Sequence, residues 1–206
     1  MAITPSANRK VPQESKLANP ILENIYARRS VRQFTGDSIS DEVVGEILRA
    51  GTYAPSACNR QPWRFVVIRN REMIKRLGVR AKQLYIKYNK KHSPQSGVWA
   101  DLEEPEKDVF YGAPLLILIF ASGDGAAPVR DCSLAAENMM LAAGSLGVGS
   151  CYVGIGQALF VDREVLDEIG APADHKLVAP LIFGYPAEKN IPTPARNKEV
   201  ILKWID

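Results

Sequence analysis

The sequence predicts one domain that mixes helices and strands around a shared core. Three observations carry this. The 206 residues are enough for one domain with a full core. Apolar stripes at helical spacing recur along the chain. Between them lie apolar runs of strand length, of which 115–121 is the longest, far short of the roughly 18 residues a membrane span needs.

Composition narrows the function classes. An apolar content of 46% with 24% charged residues describes a globular, soluble chain. Residues 1–16 are polar and lack the apolar segment of a signal peptide, so a cytoplasmic protein is expected. Cys58, Cys132 and Cys151 are odd in number and without CxxC spacing, which argues against a disulfide framework and fits a reducing compartment. The two histidines, His92 and His175, have no ligand spacing, so no metal site is expected. No GxSxG supports a serine hydrolase. Charge is uneven: residues 1–92 carry 18 Lys/Arg against 7 Asp/Glu, and 93–206 carry 8 against 16. The basic half would steer an anionic ligand. Its charges lack interleaved aromatics, so nucleic acid is not expected as a partner.

Taken in order, residues 1–18 read as a flexible arm rich in Ser, Asn, Pro and Lys. Asn19 is an N-cap before Pro20, and Ile21, Leu22, Ile25 and Tyr26 share one helical face. Arg28-Arg29-Ser30-Val31-Arg32 follows directly. Three guanidiniums and a hydroxyl within five residues supply the forked, charge-assisted donors that a phosphate monoester needs. A solvated basic turn is the plainer use of the same run. Thr35-Gly36-Asp37 is a turn, and Ser40 caps a helix with Asp41 and Glu42 in its first turn and a stripe of Val43, Val44, Ile47 and Leu48.

The loop from Tyr53 to Trp63 is bracketed by Pro55 and Pro62 and leads into a strand at 65–68. Its prolines would hold Ser56, Asn59 and Gln61 as fixed hydrogen-bonding groups, although an ordinary helix-to-strand connection has the same outline. Asn70 caps a helix to about Tyr88 with an apolar face and a strongly basic one. The polar stretch after it, spanning 89–110, reads as a lid or a mobile surface loop, with Trp99, Phe110 or Tyr111 as stacking groups. The run 115–121 is apolar on both faces and so is a central strand. A buried or interface helix is expected over 130–146, then a strand over 147–156 that ends in glycines, where backbone can approach a flat ligand. Gly154-x-Gly156 lacks the third glycine of a dinucleotide fingerprint. A short helix over 162–169 stops at Gly170, and 176–183 is another strand. Ile191 to Arg196 is a proline-rich extended arm, and 200–205 alternates as a strand with no evident place in its own domain. Docking on another subunit is its natural use.

Four stretches together resemble the nitroreductase family of FMN-dependent oxidoreductases: Arg28 to Phe34, Ala54 to Trp63, Asp131 to Ala143, and Pro194-Ala195-Arg196. The likeness covers nearly everything after residue 18. It implies an α+β fold, a three-layer arrangement with a central mixed sheet flanked by helices, and a homodimer exchanging its C-terminal strand. On this reading 1–18 is an arm, 19–190 the FMN-binding domain and 191–206 an arm that contacts the partner. Arg28, Ser30, Arg32 and Arg196 would hold the flavin phosphate and ribityl chain, with Arg29 beside them. Pro55, Ser56 and Asn59 would reach the flavin from the partner chain, and Val153, Gly154 and Ile155 would line its ring. Asn89 would turn its amide toward the pyrimidine ring. Two residues depart from the family pattern: Glu137 stands where glutamine is usual, and Gly156 where an aromatic often ends the glycine loop.

The implied activity is an oxidoreductase with FMN as cofactor and NADH or NADPH as co-substrate. Its electron acceptor would be a small molecule such as a nitroaromatic or quinone. A single phosphate cluster without a dinucleotide fold suits FMN better than FAD. Because flavin carries the redox chemistry, no acid–base dyad is required, and no catalytic side chain is assigned. Similar folds support reductive dehalogenation or flavin fragmentation, and a non-catalytic flavin-binding protein is the alternative of another class.

Overall fold

The structure, a computed structural model, describes residues 18–92, 100–188, 190–197 and 200–205. Trp99 and all but Ala18 of the expected N-terminal arm lie outside the described residues. Helix α1 spans Pro20–Ala27, capped by the Asn19 side chain, which accepts from the amides of Ile21 (2.9 Å) and Leu22 (3.3 Å). Helix α2 is Asp41–Thr52, with Ser40 accepting from Val43 N at 3.3 Å. Strand β1 is Trp63–Ile68, and α3 runs Arg71–His92, one turn beyond the expected end, with Asn70 Oδ1 accepting from Met73 N. Strand β2 is Leu115–Ala121 and α4 is Ala127–Ser145. Strand β3 is Gly149–Tyr152, α5 Arg163–Glu168 and β4 Lys176–Gly184.

The strands form one sheet in the order β1-β2-β4-β3, and every pair is antiparallel. A mixed sheet was expected; among the described residues the parallel pairing is the bridge between Ser30 and Ser150, on the free edge of β3. The run of apolar residues in β2 has a simple cause. Successive side chains alternate between faces, and both faces are covered. Leu115, Ile117 and Ile119 pack with Met139 and Ala143 of α4 and Ile47 of α2. Leu116, Leu118 and Phe120 pack with Ile74, Leu77 and Ala81 of α3. The result is three layers, helix–sheet–helix. Helices α2 and α4 approach closely at Gly51, where an added Cβ would lie 2.8 Å from Met139 Cγ.

Two local expectations are corrected, and a third concerns the partner subunit. The glycine-ended strand stops at Tyr152, and residues Gly154–Val161 wind into a 3-10 helix. Within the single chain, residues 200–205 pair with none of the described strands, and their expected strand on a partner subunit is a matter for the dimer. Leu202 is fully exposed. Phe110 is wholly buried in the core under α3 rather than presented for stacking. Residues 108–113 form a turn in which both Asp108 carboxylate oxygens accept backbone amides, from Phe110 (2.8 Å) and Gly112 (2.7 Å).

Candidate functional site

The arginine cluster is stitched to the free edge of β3. Val31 N donates to Ser150 O at 2.9 Å, and the buried Val31 side chain rests on Gly149, where any Cβ would come within 2.7 Å of it. With strand-like alternation, burying Val31 turns Ser30 and Arg32 to the other side. A glycine at position 149 is therefore what lets the cluster lie against the sheet.

Arg28, Arg29, Ser30 and Arg32 line a cavity of about 360 Å³ together with Ile191, Pro192, Pro194 and Arg196. The extended arm thus brings a fourth guanidinium to the three that are adjacent in sequence. A cavity lined by four arginines and a serine draws on the residue types whose donors suit a phosphate dianion. A larger cavity of about 590 Å³ adjoins it and shares Arg28, Arg29 and the arm; Val31, Val148 and Gly149 also line it.

The members differ in how they are held. Arg28 Nε meets the Glu137 carboxylate on α4 at 3.3 Å, so the carboxylate that departs from the family pattern orients a guanidinium of the cluster. Arg32 donates to Ser30 O at 3.4 Å and lies 5.9 Å from the centre of the Tyr111 ring. Tyr111 holds a left-handed backbone, φ 57°, at the end of the expected lid. Cys151, which the sequence did not single out, sits beside the cluster. Burial pushes its thiol up, against the pull of Arg32, a hydrogen bond with Ser30 and the charge of Arg28. It therefore stays protonated and contributes packing.

The glycine segment divides its tasks. The Val153 side chain is buried, its N–H donates to Pro180 O (2.9 Å) and its carbonyl accepts from Gly156 N (2.9 Å). Gly156 is a packing residue, since a Cβ there would lie 2.8 Å from Pro180 and 3.1 Å from Phe110; an aromatic has no room. Gly154, by contrast, has open space where its Cβ would be. The amides of Gly154 and Ile155 fall in the first turn of the 3-10 helix, where the helix has no carbonyl to offer them. That pair is the part of the segment able to meet a flat ligand with backbone.

Pro55, Ser56 and Asn59 do not line the arginine cavity. Their loop is fixed by its own contacts and by the start of α4. The buried Asp131 carboxylate accepts from Ala57 N (3.1 Å), Ser56 Oγ from Gln61 N (3.0 Å), and Asn59 Oδ1 from Gln61 Nε2 (3.1 Å). Cys58, Asn59 and Gln61 all have left-handed φ. Asn89 Nδ2 donates to Tyr85 O on its own helix. Asp131 was legible only as part of a motif; its anchoring role has no local signal.

The nitroreductase family model matches residues 25–185, which contain both the cluster and the loop. The chain belongs to the nitroreductase family. A relative from Archaeoglobus fulgidus, provisionally named NADH dehydrogenase/NAD(P)H nitroreductase, is 33% identical over 82% of this chain and 86% of its own length. An iodotyrosine deiodinase from Hydra vulgaris is 26% identical over 92% of this chain and 74% of its own. Among solved structures, a nitroreductase with bound FMN from Bacteroides fragilis superposes with a TM-score of 0.79 and 30% identity. It covers 92% of this chain and 100% of its own. The three-layer α+β fold expected for a nitroreductase is thus the fold observed. No described helix is long and apolar enough to cross a membrane.

Proposed function

We propose that this nitroreductase-family protein is an FMN-dependent oxidoreductase that oxidises NADH or NADPH and reduces a small acceptor, a nitroaromatic or a quinone. The observation that carries the reading is the cavity in which Arg28, Ser30 and Arg32 meet Arg196. It fits a phosphate monoester, and a second nucleotide-binding motif, which FAD would require, is absent from the sequence. When bound, FMN supplies the hydride and electron transfer at its N5.

The chain supplies binding, orientation and electrostatics. Arg28, Ser30, Arg32 and Arg196 would hold the phosphate and ribityl chain, and the charge of Arg28 or Arg32 would also favour an anionic reduced ring. The Gly154 and Ile155 amides would be available to the flavin ring, with Val153 beside them. Pro55, Ser56 and Asn59 complete the site from the partner subunit of a homodimer, which the 191–206 arm helps to assemble.

The purified protein should be yellow and release FMN, not FAD, on denaturation. Its flavin should bleach rapidly with NADH or NADPH and recover colour with a nitroaromatic or quinone. A colourless protein that cannot be reconstituted with FMN would end the reading, and a flavin that no nicotinamide reduces would leave a binding protein instead of an enzyme. The Hydra relative favours one second reading, reductive deiodination. It predicts that the reduced protein is reoxidised by 3-iodo-L-tyrosine with release of iodide.

A further inference from the structure

Arg29 sits among the cluster's charges, but its donors face its own chain. Nη1 donates to the carbonyls of Tyr26 (2.6 Å) and Arg28 (2.9 Å), and Nε to Ile191 O (3.3 Å). Nη2 donates to the Thr193 hydroxyl. A guanidinium has five N–H donors, so these contacts leave at most one for a ligand. Two of the four tie down the arm shortly before Arg196. Pro192 locks its φ between the two ties and Pro194 locks its own between Thr193 and Arg196, so displacement at Thr193 is carried toward Arg196 more than it is absorbed.

We propose that Arg29 is a latch, a positioning residue that clamps the 191–196 arm to the end of α1 and so delivers Arg196 to the phosphate cavity. It is not itself a phosphate ligand. This rests on the cavity's being the FMN phosphate site. The latch makes the fourth guanidinium, Arg196, conditional on the second, Arg29: phosphate affinity depends on whether the arm is docked. It also assigns different tasks to two neighbouring, chemically identical side chains, Arg28 and Arg29.

Titrating FMN and riboflavin by flavin fluorescence quenching tests the latch. Arg196→Ala should weaken FMN by about 10- to 100-fold, the scale of a lost charge-assisted hydrogen bond, and riboflavin far less. Arg29→Ala should approach the same loss. The double variant should be no weaker than Arg196→Ala by more than about twofold, because the two losses are one. Arg29→Lys should behave like Arg29→Ala, since an ammonium cannot span both arm contacts. Losses that multiply, or substantial rescue by lysine, would overturn the proposal by showing that Arg29 acts on phosphate through its charge.

Thr193→Val removes the acceptor without touching the cluster and carries the same test if Arg29→Ala does not fold. It should weaken FMN several-fold, and only when Arg196 is present. On the flavin-free protein, trypsin should cut after Arg196 faster in either latch variant than in the wild type. Unchanged cutting would also overturn the latch. Wild-type protein that binds neither flavin would instead refute the cofactor reading, while the trypsin comparison would still decide whether Arg29 holds the arm.

Discussion

The arginine cluster and the proline-bracketed loop are both short polar stretches that follow an amphipathic helix, and they are built by opposite means. The cluster lays permanent charge along a strand edge, with Val31 buried and Glu137 meeting Arg28. The loop satisfies itself: Ser56, Asn59 and Gln61 bond one another, and Asp131 anchors Ala57. Left-handed backbone at Cys58, Asn59 and Gln61 costs roughly 1–2 kcal/mol per residue, which only such over-determination sustains. The loop is therefore held by its own contacts, whereas the proposed flavin phosphate would complete those of the cluster. Changes in the cluster should register in binding, and changes in the loop in stability.

The largest expected effect tests whether the two regions share one site. Deleting residues 198–206 keeps Arg196 but removes Leu202 and Trp204, whose burial against a partner would contribute about 1.5–3 kcal/mol each. Light scattering should show a more monomeric protein that loses FMN on dilution. A truncated chain that stays a tight, flavin-loaded dimer would mean that cluster and loop need no help from the tail.

Next comes the cluster itself. Arg28→Ala should weaken FMN binding by about 1.5–3 kcal/mol and riboflavin binding much less. Its melting temperature should barely move, since the Arg28–Glu137 pair is solvent-accessible and such pairs contribute little. Equal losses for both flavins would remove the phosphate from the argument.

The loop should respond the other way. Asp131→Ala leaves the Ala57 amide without its acceptor and should cost about 1–3 kcal/mol of stability. That corresponds to roughly 2–4 °C per kcal/mol in a chain of this size. Denaturant unfolding without flavin should reveal the whole loss; an unchanged midpoint would show that the loop is held elsewhere.

The smallest effect is at Cys58, which is exposed and left-handed. Cys58→Gly relieves about 1–2 kcal/mol of backbone cost but adds about 0.5–1 kcal/mol of chain entropy, so stability should rise by at most about 1.5 kcal/mol. A clear destabilisation would show that the thiol makes a contact worth keeping.

The sequence by itself determined what depends on neighbours within a turn or two. The caps Asn19, Ser40 and Asn70 are where their side chains predict. So is the doubly buried β2, and the adjacency of Arg28, Arg29 and Arg32 is a charge cluster in any fold. Tertiary structure decided which partner each of those charges meets. Arg29 and Arg28 are the same residue type one position apart, yet one ties down the arm and the other meets Glu137. Gly154 and Gly156 look alike in sequence, and only the packing of Pro180 and Phe110 makes one of them a space-filling necessity. Phe110, placed by sequence in a polar stretch, is drawn into the core by the Asp108 turn. The physical reason is the same in each case. Periodicity and capping are set by local geometry, whereas a side chain's partner is set by segments remote in sequence that share its volume.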